Sequence, residues 1–345
     1  MSGIVRYNRT RTSGLVKTVS GVPAVAGDKS PASSGDMWYN SSANTLRCYI
    51  PVAAFAQGGT QGTARSNAYG CGTASALFVV GGSTPPYTNT CESYNGTAWS
   101  AEGNLPAAIQ QMGNAGTPTD SIATGGYKVA SYLDESYTYN GTGWSAGSDM
   151  PDSKASGGNM GRSSTEFGFF GSTQSEASPS ATKTDSTFIW NGTAWSTGGT
   201  LSAGVSKPGG AGTTTAGLKV GGTVSSFTTT VEEYNGTDWT TVTAYPVATE
   251  AITGGGLQTN AFFVGGILGA LNPTDDVNFY NGTSWSASTD YPIEGDSIGT
   301  SSNSTTSGWT GGGGLKQRVG TGAATYDGLT YEWSEAAANA TVSTE

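Results

Sequence analysis

The chain has no histidine, and only 12% of its 345 residues are charged, 15 of them basic. Without an imidazole there is no Ser-His-Asp or Cys-His nucleophile system. Most catalytic zinc sites lose their usual ligand for the same reason. The few Lys and Arg are spread thinly under a net charge of −10, with no cluster that would neutralise a run of phosphates. Nucleic acid is therefore not an expected partner. No apolar run nears the roughly 18 residues of a membrane span. The leading stretch MSGIVRYNRTRTSGLVK lacks the apolar core of a signal peptide, so no secretory route is visible. Cysteines are three, Cys48, Cys71 and Cys91, too few and too odd for a disulfide framework. Free thiols in a reducing compartment are the expectation, with one bridge left open.

Glycine, in contrast, is abundant at 54 residues, and Ser, Thr, Asn and Ala fill the space between aromatics. These residues rank low in helix propensity and suit short strands with tight turns. The 9 Trp, 16 Tyr and 10 Phe are enough to bury a core and argue against disorder.

One heptapeptide recurs. It reads YNGTAWS from Tyr94, YNGTGWS from Tyr139, WNGTAWS from Trp190, YNGTDWT from Tyr234 and YNGTSWS from Tyr280, with a worn copy, YDGLTYE, from Tyr326. Asn-Gly is the preferred pair of a two-residue type I′ hairpin turn. Centred on Asn95-Gly96, such a turn sets Tyr94 opposite Thr97 and makes Tyr94 and Trp99 diagonal neighbours on one face. An isolated hairpin is marginal in water, and repetition is the usual remedy. The steps between Trp99, Trp144, Trp195, Trp239, Trp285 and the equivalent Tyr331 are 45, 51, 44, 46 and 46 residues. Such periods mean solenoids or propellers, and the composition excludes helical ones.

Each unit also carries an apolar strand ended by a Gly pair: LFVVGG at Leu77, SIATGG at Ser121, FGFFGS at Phe167, GLKVGG at Gly217, AFFVGG at Ala261 and SGWTGGGG at Ser307. A strand of small residues precedes each one. Pro106, Pro151, Pro246 and Pro292 mark junctions. The unit therefore reads as four strands with a Gly-rich inner one. Six units make a six-bladed β-propeller, an all-β fold.

The order Gly-Gly, Tyr, Trp in units of this length resembles the kelch repeat over roughly residues 57–335. The likeness is to the skeleton: the basic residues common in kelch blades are mostly missing, and Gly171-Ser172 replaces the pair in the third unit. The alternation is also similar to kelch-like repeats in virion structural proteins of marine tailed bacteriophages, especially cyanophages. The leader GDMWYNSSANTLRCYI, Gly35 to Ile50, resembles segments of phage fibre and virion proteins.

The domain reading is an N-terminal anchoring arm with a short hairpin over 1–50, a propeller over 51–335 and a C-terminal tail over 336–345. Six basic residues fall in the arm: Arg6, Arg9, Arg11, Lys17, Lys29 and Arg47. With Ile4, Val5, Leu15 and Val16 they suit a segment that orders on a partner surface. Met37–Tyr39 pairs with Leu46–Tyr49 as a hairpin, or the segment adds a strand to an open blade edge. The last blade is expected to own all four strands, with no closing strand from the N-terminus.

Catalysis has few candidates. Asp134/Glu135, Asp185, Glu232/Glu233 and Asp275/Asp276 precede the third strands and read as solvated loop acids on one level. Propeller glycosidases need a suitably spaced carboxylate pair. No loop shows the spacing of a strong calcium site, and NGTAW lacks the Asp of the sialidase box. No catalytic, metal or cofactor residue is assigned, and no binding residue is named. The Asn-Gly-Thr matches to a glycosylation acceptor are explained by turn chemistry. What varies between units is STPPYTNT at Ser83, YKVASYLDES at Tyr127, STQSEASPSATKTD at Ser172, TVSSFTTT at Thr223 and ILGALNPTDD at Ile267. All five link second to third strands and crowd one face, where binding commonly lives.

The resemblance implies a non-enzymatic virion protein, such as a tail fibre or capsid decoration. It would be made in the host cytoplasm and present in several copies. Residues 1–50 would hold it to capsid or tail proteins, and the loops would meet a host surface polysaccharide or a neighbouring subunit. The alternatives are a bacterial surface binding module or a carbohydrate-active propeller enzyme.

Overall fold

The intact heptapeptides fold into hairpins whose register differs from the Asn-Gly turn read in the sequence. In the computed structural model Tyr94 pairs directly with Trp99, and Asn95 N–H donates to the Ala98 carbonyl at 3.2 Å. Gly96 alone in the turn has a positive φ, +88°. The Asn side chain explains the shift: Asn95 Oδ1 accepts the N–H groups of Thr97 and Ala98, at 3.0 and 2.9 Å. An Asx turn of this kind replaces the backbone acceptor, so Gly-Thr, not Asn-Gly, takes the centre. Asn140, Asn191, Asn235 and Asn281 repeat it.

The structure describes residues 24–30, 36–84, 87–129, 131–172, 182–269, 272–296, 299–300, 303, 308–312, 315–316, 325–326 and 328–341. The fold is all-β, with no α-helix among these residues. The chain divides into two units, one of residues 1–52 with 335–345 and one of residues 53–334.

The larger unit holds five antiparallel four-stranded sheets in chain order. Sheet 1 is Tyr69–Thr73, Ala76–Val80, Cys91–Tyr94 and Trp99–Glu102. Sheet 2 is Gly113–Thr117, Asp120–Thr124, Ser136–Tyr139 and Trp144–Ala146. Sheet 3 is Gly158–Ser163, Glu166–Phe170, Thr187–Trp190 and Trp195–Thr197. Sheet 4 is Gly209–Thr213, Ala216–Val220, Val231–Tyr234 and Trp239–Thr241. Sheet 5 is Thr253–Leu257, Asn260–Val264, Val277–Tyr280 and Trp285–Ala287.

A sixth sheet follows with a different fourth strand. Its order is Gly299–Thr300, Gly308–Gly312, Thr330–Thr341 and then Thr45–Gln57. The expectation that the last unit owns all its strands is thus corrected: the outer strand comes from the N-terminal side. Gly58 and Gln61 N–H donate to the Thr330 and Gly328 carbonyls, both at 2.8 Å. The Phe55 ring sits 5.0 Å from Trp333 and 5.3 Å from Tyr291. The physical reason is edge protection: without that strand the last sheet would leave a row of backbone donors and acceptors unpaired. The strand Thr330–Thr341 also runs past residue 335, where the sequence places the end of the repeats.

The core lies between sheets. Phe78, Val80 and Cys91 of sheet 1 pack with Ala123 and Tyr139 of sheet 2; Phe262, Val264 and Val277 of sheet 5 pack with Trp333. The third-strand aromatics Tyr94, Tyr139, Trp190, Tyr234 and Tyr280 are buried, at 2% exposure or less. The outer-strand tryptophans lie against them, ring centroids 4.7 to 5.4 Å apart, and are only half-buried. Each indole instead donates to the preceding sheet or its linker. Trp144 Nε1 reaches Gly103 O at 2.9 Å, Trp239 Nε1 reaches Thr187 Oγ1 at 2.9 Å, and Trp285 Nε1 reaches Thr243 O at 3.1 Å.

Inner strands pack in order from sheet 1 to sheet 6, and the sixth meets the first again. Together they line a narrow cavity of about 20 Å³, to which Tyr69, Asn114, Asn159, Gly210, Thr253 and Thr300 contribute one residue per inner strand. Glycine is needed where they crowd: a Cβ on Gly210 would come within 2.2 Å of the Asn159 carbonyl. At the end where first strands turn into second strands, Asn303 of the sixth sheet crosses over. Its N–H donates to Gly72 O at 2.8 Å, and its Nδ2 to Gly116 O at 3.1 Å and Arg162 O at 2.8 Å.

In the smaller unit, Ala24–Val25 runs parallel to Met37–Asn40, which pairs antiparallel with Thr45–Gln57. Met37 faces Cys48 and Tyr39 faces Leu46, so the leader forms the expected hairpin. Trp38 is fully buried beneath it. Lys29 pairs with Asp36 at 2.5 Å and Arg47 with Asp28 at 3.6 Å, which occupies two of the arm's cations locally. Arg6, Arg9, Arg11 and Lys17, with Ile4, Val5, Leu15 and Val16, lie outside the described residues.

Candidate functional site

The end of the larger unit opposite Asn303 is built by the linkers between sheets. Asn67, Gln111, Ser156, Lys207 and Ala251 stand one repeat apart, each with φ between +51° and +59°. Each after Asn67 donates its N–H to the carbonyl of the one before: Gln111 to Asn67 at 2.9 Å, Ser156 to Gln111 at 3.2 Å, Lys207 to Ser156 at 2.9 Å and Ala251 to Lys207 at 2.9 Å. This left-handed conformation disfavours residues with a Cβ. A run of hydrogen bonds from linker to linker offsets that cost. No sequence signal marks these positions, since only Asn67 is of a residue type enriched in this region.

The Gly pairs lock the second strands to the same linkers. Gly82 N–H donates to Ile109 O at 2.8 Å, Gly126 to Lys154 O at 2.7 Å, Gly222 to Thr249 O at 2.8 Å and Gly266 to Gly295 O at 2.9 Å. Ser172 makes the equivalent bond to Val205 O at 2.8 Å despite φ +135°. The residue after each pair then bridges to the linker: Ser83 to Ser66, Tyr127 to Gln110, Thr223 to Ser206 and Ile267 to Glu250. Four of the five variable loops thereby open on one face, beside the linkers. Residues 173–181 of the remaining loop lie outside the described residues.

Three tyrosines meet on that face. Tyr127 and Tyr132 pair across a two-residue hairpin in the loop of sheet 2, ring centroids 5.1 Å apart. Tyr87, from the loop of sheet 1, sits 6.0 Å from Tyr127, edge to face. All three are half-buried, and Val129 at the hairpin tip is 80% exposed. Farther round, Ser226, Phe227, Ala248 and Gly269 line an open hollow of about 370 Å³. The opposite face is uniform, because the Asn-Gly-Thr turns and the first-to-second-strand turns both lie there: a Cβ on Gly96 would meet Ser75, and one on Gly141 would meet Thr119.

Buried charge lies beneath the loop face. Arg65 is 1% exposed; its Nη1 donates to Gly81 O at 3.0 Å and Thr90 O at 2.6 Å, and its Nη2 pairs with Glu92. Lys154 has no exposed surface and donates to Gly171 O at 3.1 Å, Thr184 Oγ1 at 2.8 Å and Ser186 Oγ at 2.7 Å. Its ammonium stands 4.8 Å over the Phe188 ring. Burial lowers its pKa to about 8, although Asp152 and Asp185 pull the other way.

The acids do not converge. Glu232, read from the sequence as a solvated loop acid, is 2% exposed on the strand Val231–Tyr234, 3.6 Å from Lys219, and accepts Ser202 N–H at 2.8 Å. The correction has a physical reason: strand alternation turns Glu232 inward, where Lys219 compensates it. Burial lowers the Lys219 pKa, and Glu232 offsets part of that. Glu233 is half-buried and accepts the Tyr280 hydroxyl at 3.0 Å. Asp134, Asp185 and Asp275 occupy the same place in sheets 2, 3 and 5, their carbonyls accepting the N–H of Met150, Leu201 and Tyr291 at 2.8 to 2.9 Å. Glu135 is half-buried, and Asp276 accepts the Thr274 hydroxyl at 2.7 Å. Among the described residues no group of three His, Cys, Asp or Glu could hold a metal ion. Cys71 and Cys91 are buried free thiols, their pKa values raised by desolvation, and Cys48 is half-buried and free. Among the described residues no helix is long and apolar enough to cross a membrane.

Comparison with protein-family models and with curated proteins finds no match for this chain.

Proposed function

We propose that the chain is a six-bladed, kelch-like β-propeller serving as a non-enzymatic structural protein of a phage particle. Residues 1–50 attach it to capsid or tail proteins, and its loop face meets a host surface glycan. The observation that carries this reading is the division of the larger unit into one uniform face and one variable face. The uniform face repeats Asn-Gly-Thr turns, which are scaffold. The variable face carries loops that share position but not sequence, as a displayed recognition surface does. Ring packing of six inner strands supports the propeller, and the paired leader hairpin supports the likeness to fibre and virion segments.

A bacterial surface module would share this architecture. The carbohydrate-active enzyme is the weaker reading, because the candidate acids do not converge and Glu232 is paired with the buried Lys219. Deleting residues 1–34 tests the assignment. The truncated protein should stay folded, with an unchanged melting temperature, and fail to enter particles. Incorporation at normal copy number would place the attachment on the propeller and overturn the arm's role.

A further inference from the structure

The tyrosine cluster of sheets 1 and 2 is unlike the other aromatics of this chain. The Tyr and Trp of the heptapeptides recur at fixed repeat positions and fill the space between sheets. Tyr87, Tyr127 and Tyr132 lie on two variable loops; Phe227 holds the place of Tyr87 in sheet 4, but Ser83, Thr223 and Ile267, at the place of Tyr127, are not aromatic. They contact one another edge to face rather than packing into the inter-sheet core. Such rings present an apolar surface with hydroxyl groups at its margin.

The surroundings are polar. Ser83 and Gln110 pair with the two loops through backbone bridges, and Lys128 and Ser131 pair with each other across the hairpin that carries Tyr127 and Tyr132. The linkers behind hold two buried acceptor atoms without a hydrogen-bond partner, Ser66 Oγ and Gln111 Oε1. Apolar ring faces bordered by hydroxyl, amide and ammonium groups suit a ligand that is itself apolar on its faces and hydroxylated round its edge. A pyranose ring has that character. The net charge of −10 disfavours a polyanion, because like charge repels at long range.

We propose that Tyr87, Tyr127 and Tyr132 form the binding subsite for a neutral polysaccharide, with Tyr127 as the central stacking ring and Lys128 and Ser131 as hydroxyl partners. This rests on the glycan-attachment reading above and names the place on the chain where it occurs. The half-buried ring of Tyr127 sits in a two-residue hairpin outside the sheets, so its removal leaves the inter-sheet core intact.

The test uses the full chain against immobilised polymers: a neutral glucan, a neutral galactan, a rhamnan and a polyuronate. At least one neutral polymer should bind in preference to the polyuronate. Tyr127→Ala should weaken that binding about ten-fold and Tyr127→Phe by less than about three-fold, since the ring is what stacks. Tyr87→Ser, in a separate loop, should weaken it too, which keeps the test sound if Tyr127→Ala misfolds. Phe227→Ala, at the hollow on the far loops, should change nothing. Binding lost with Phe227→Ala but not with the tyrosine variants would overturn the subsite while sparing the glycan reading. Binding to none of the neutral polymers would sink both. Loss of capture by a protein partner in Tyr127→Ala, with no polymer bound, would make the patch a protein interface instead.

Discussion

Trp99 and Thr330 are 231 residues apart in sequence, yet the Trp99 indole N–H donates to the Thr330 hydroxyl at 2.8 Å. The bond joins the outer strand of the first sheet to the third strand of the last. Trp239 makes the same kind of bond to Thr187 between consecutive sheets, at 2.9 Å. The first and last sheets of the larger unit are therefore joined by the contact that joins ordinary neighbours. Tyr94, whose hydroxyl donates to Glu332, adds a second link at the same seam.

The closing strand gives the first prediction. Removing residues 1–34 spares every strand of the larger unit, so the melting temperature should not move. Removing residues 1–57 strips Thr45–Gln57 from the sixth sheet and takes Phe55 away from Trp333 and Tyr291. Loss of a packed aromatic costs about 3–5 kcal/mol, before any backbone bonds are counted. Thermal melts of the two truncations should differ sharply; equal melts would mean the strand contributes nothing.

The turns give the second. Gly96 has φ +88°, so Gly96→Ala should destabilise the protein by about 1–2 kcal/mol. Asn95→Ala loses the acceptor for two N–H groups and should cost about 1 kcal/mol, while Asn95→Asp keeps an acceptor and should cost less. Urea unfolding of the three variants checks the order.

Ala251 gives the third, with opposite sign. It holds φ +53° with no polar side chain to compensate. Ala251→Gly should leave stability unchanged or raise it by up to about 1 kcal/mol, whereas alanine-to-glycine changes within strands destabilise. A loss above about 1 kcal/mol in chemical unfolding would contradict the left-handed linker.

These positions show what was legible in the sequence and what was not. Asn-Gly and Gly-Gly announce themselves because few other residues meet their backbone demands, so the repeat, its period and the four-strand unit could be read directly. The register could not, because an Asn side chain serves equally well as a turn centre or as an Asx acceptor. Gln111, Ser156 and Lys207 carry no mark of a left-handed backbone. The closing strand TLRCYIPVAAFAQ shares no motif with the outer strands it imitates, and its partner lies almost a full chain length away. Glu232 was misleading for another reason: charge usually means solvent, and here it is buried against Lys219. The tyrosine cluster has no sequence signature, since Tyr87 and Tyr127 meet only when two loops do.

Lys154 gives the fourth prediction, a pH dependence. Its folded pKa of about 8 lies below that of an unfolded lysine, about 10.4. Between these values the unfolded chain binds more protons than the folded one, so stability must rise with pH across this window. The gain is on the order of 3 kcal/mol when the window is fully crossed. Tyr69 and Tyr280, raised to about 12 chiefly by burial, act oppositely above pH ~10, where unfolded tyrosines ionise first. Cys71 and Cys91, whose pKa values burial raises, oppose that climb above pH ~8.5, so the Lys154 contribution is read as a difference: from pH 7.5 to 9.5 unfolding free energy should climb in the native protein relative to Lys154→Met. The same slope in both proteins would assign it elsewhere.

The joining of the first and last sheets is best tested by a double-mutant cycle on Trp99 and Thr330. Trp99→Phe keeps a ring against Tyr94 but removes the indole N–H, and Thr330→Val removes the acceptor while keeping the shape. If the first and last sheets meet as described, the two changes should couple by about 0.5–1.5 kcal/mol in urea unfolding, the worth of one hydrogen bond. Additive effects, within about 0.3 kcal/mol, would mean that these residues do not touch and that the ring is open.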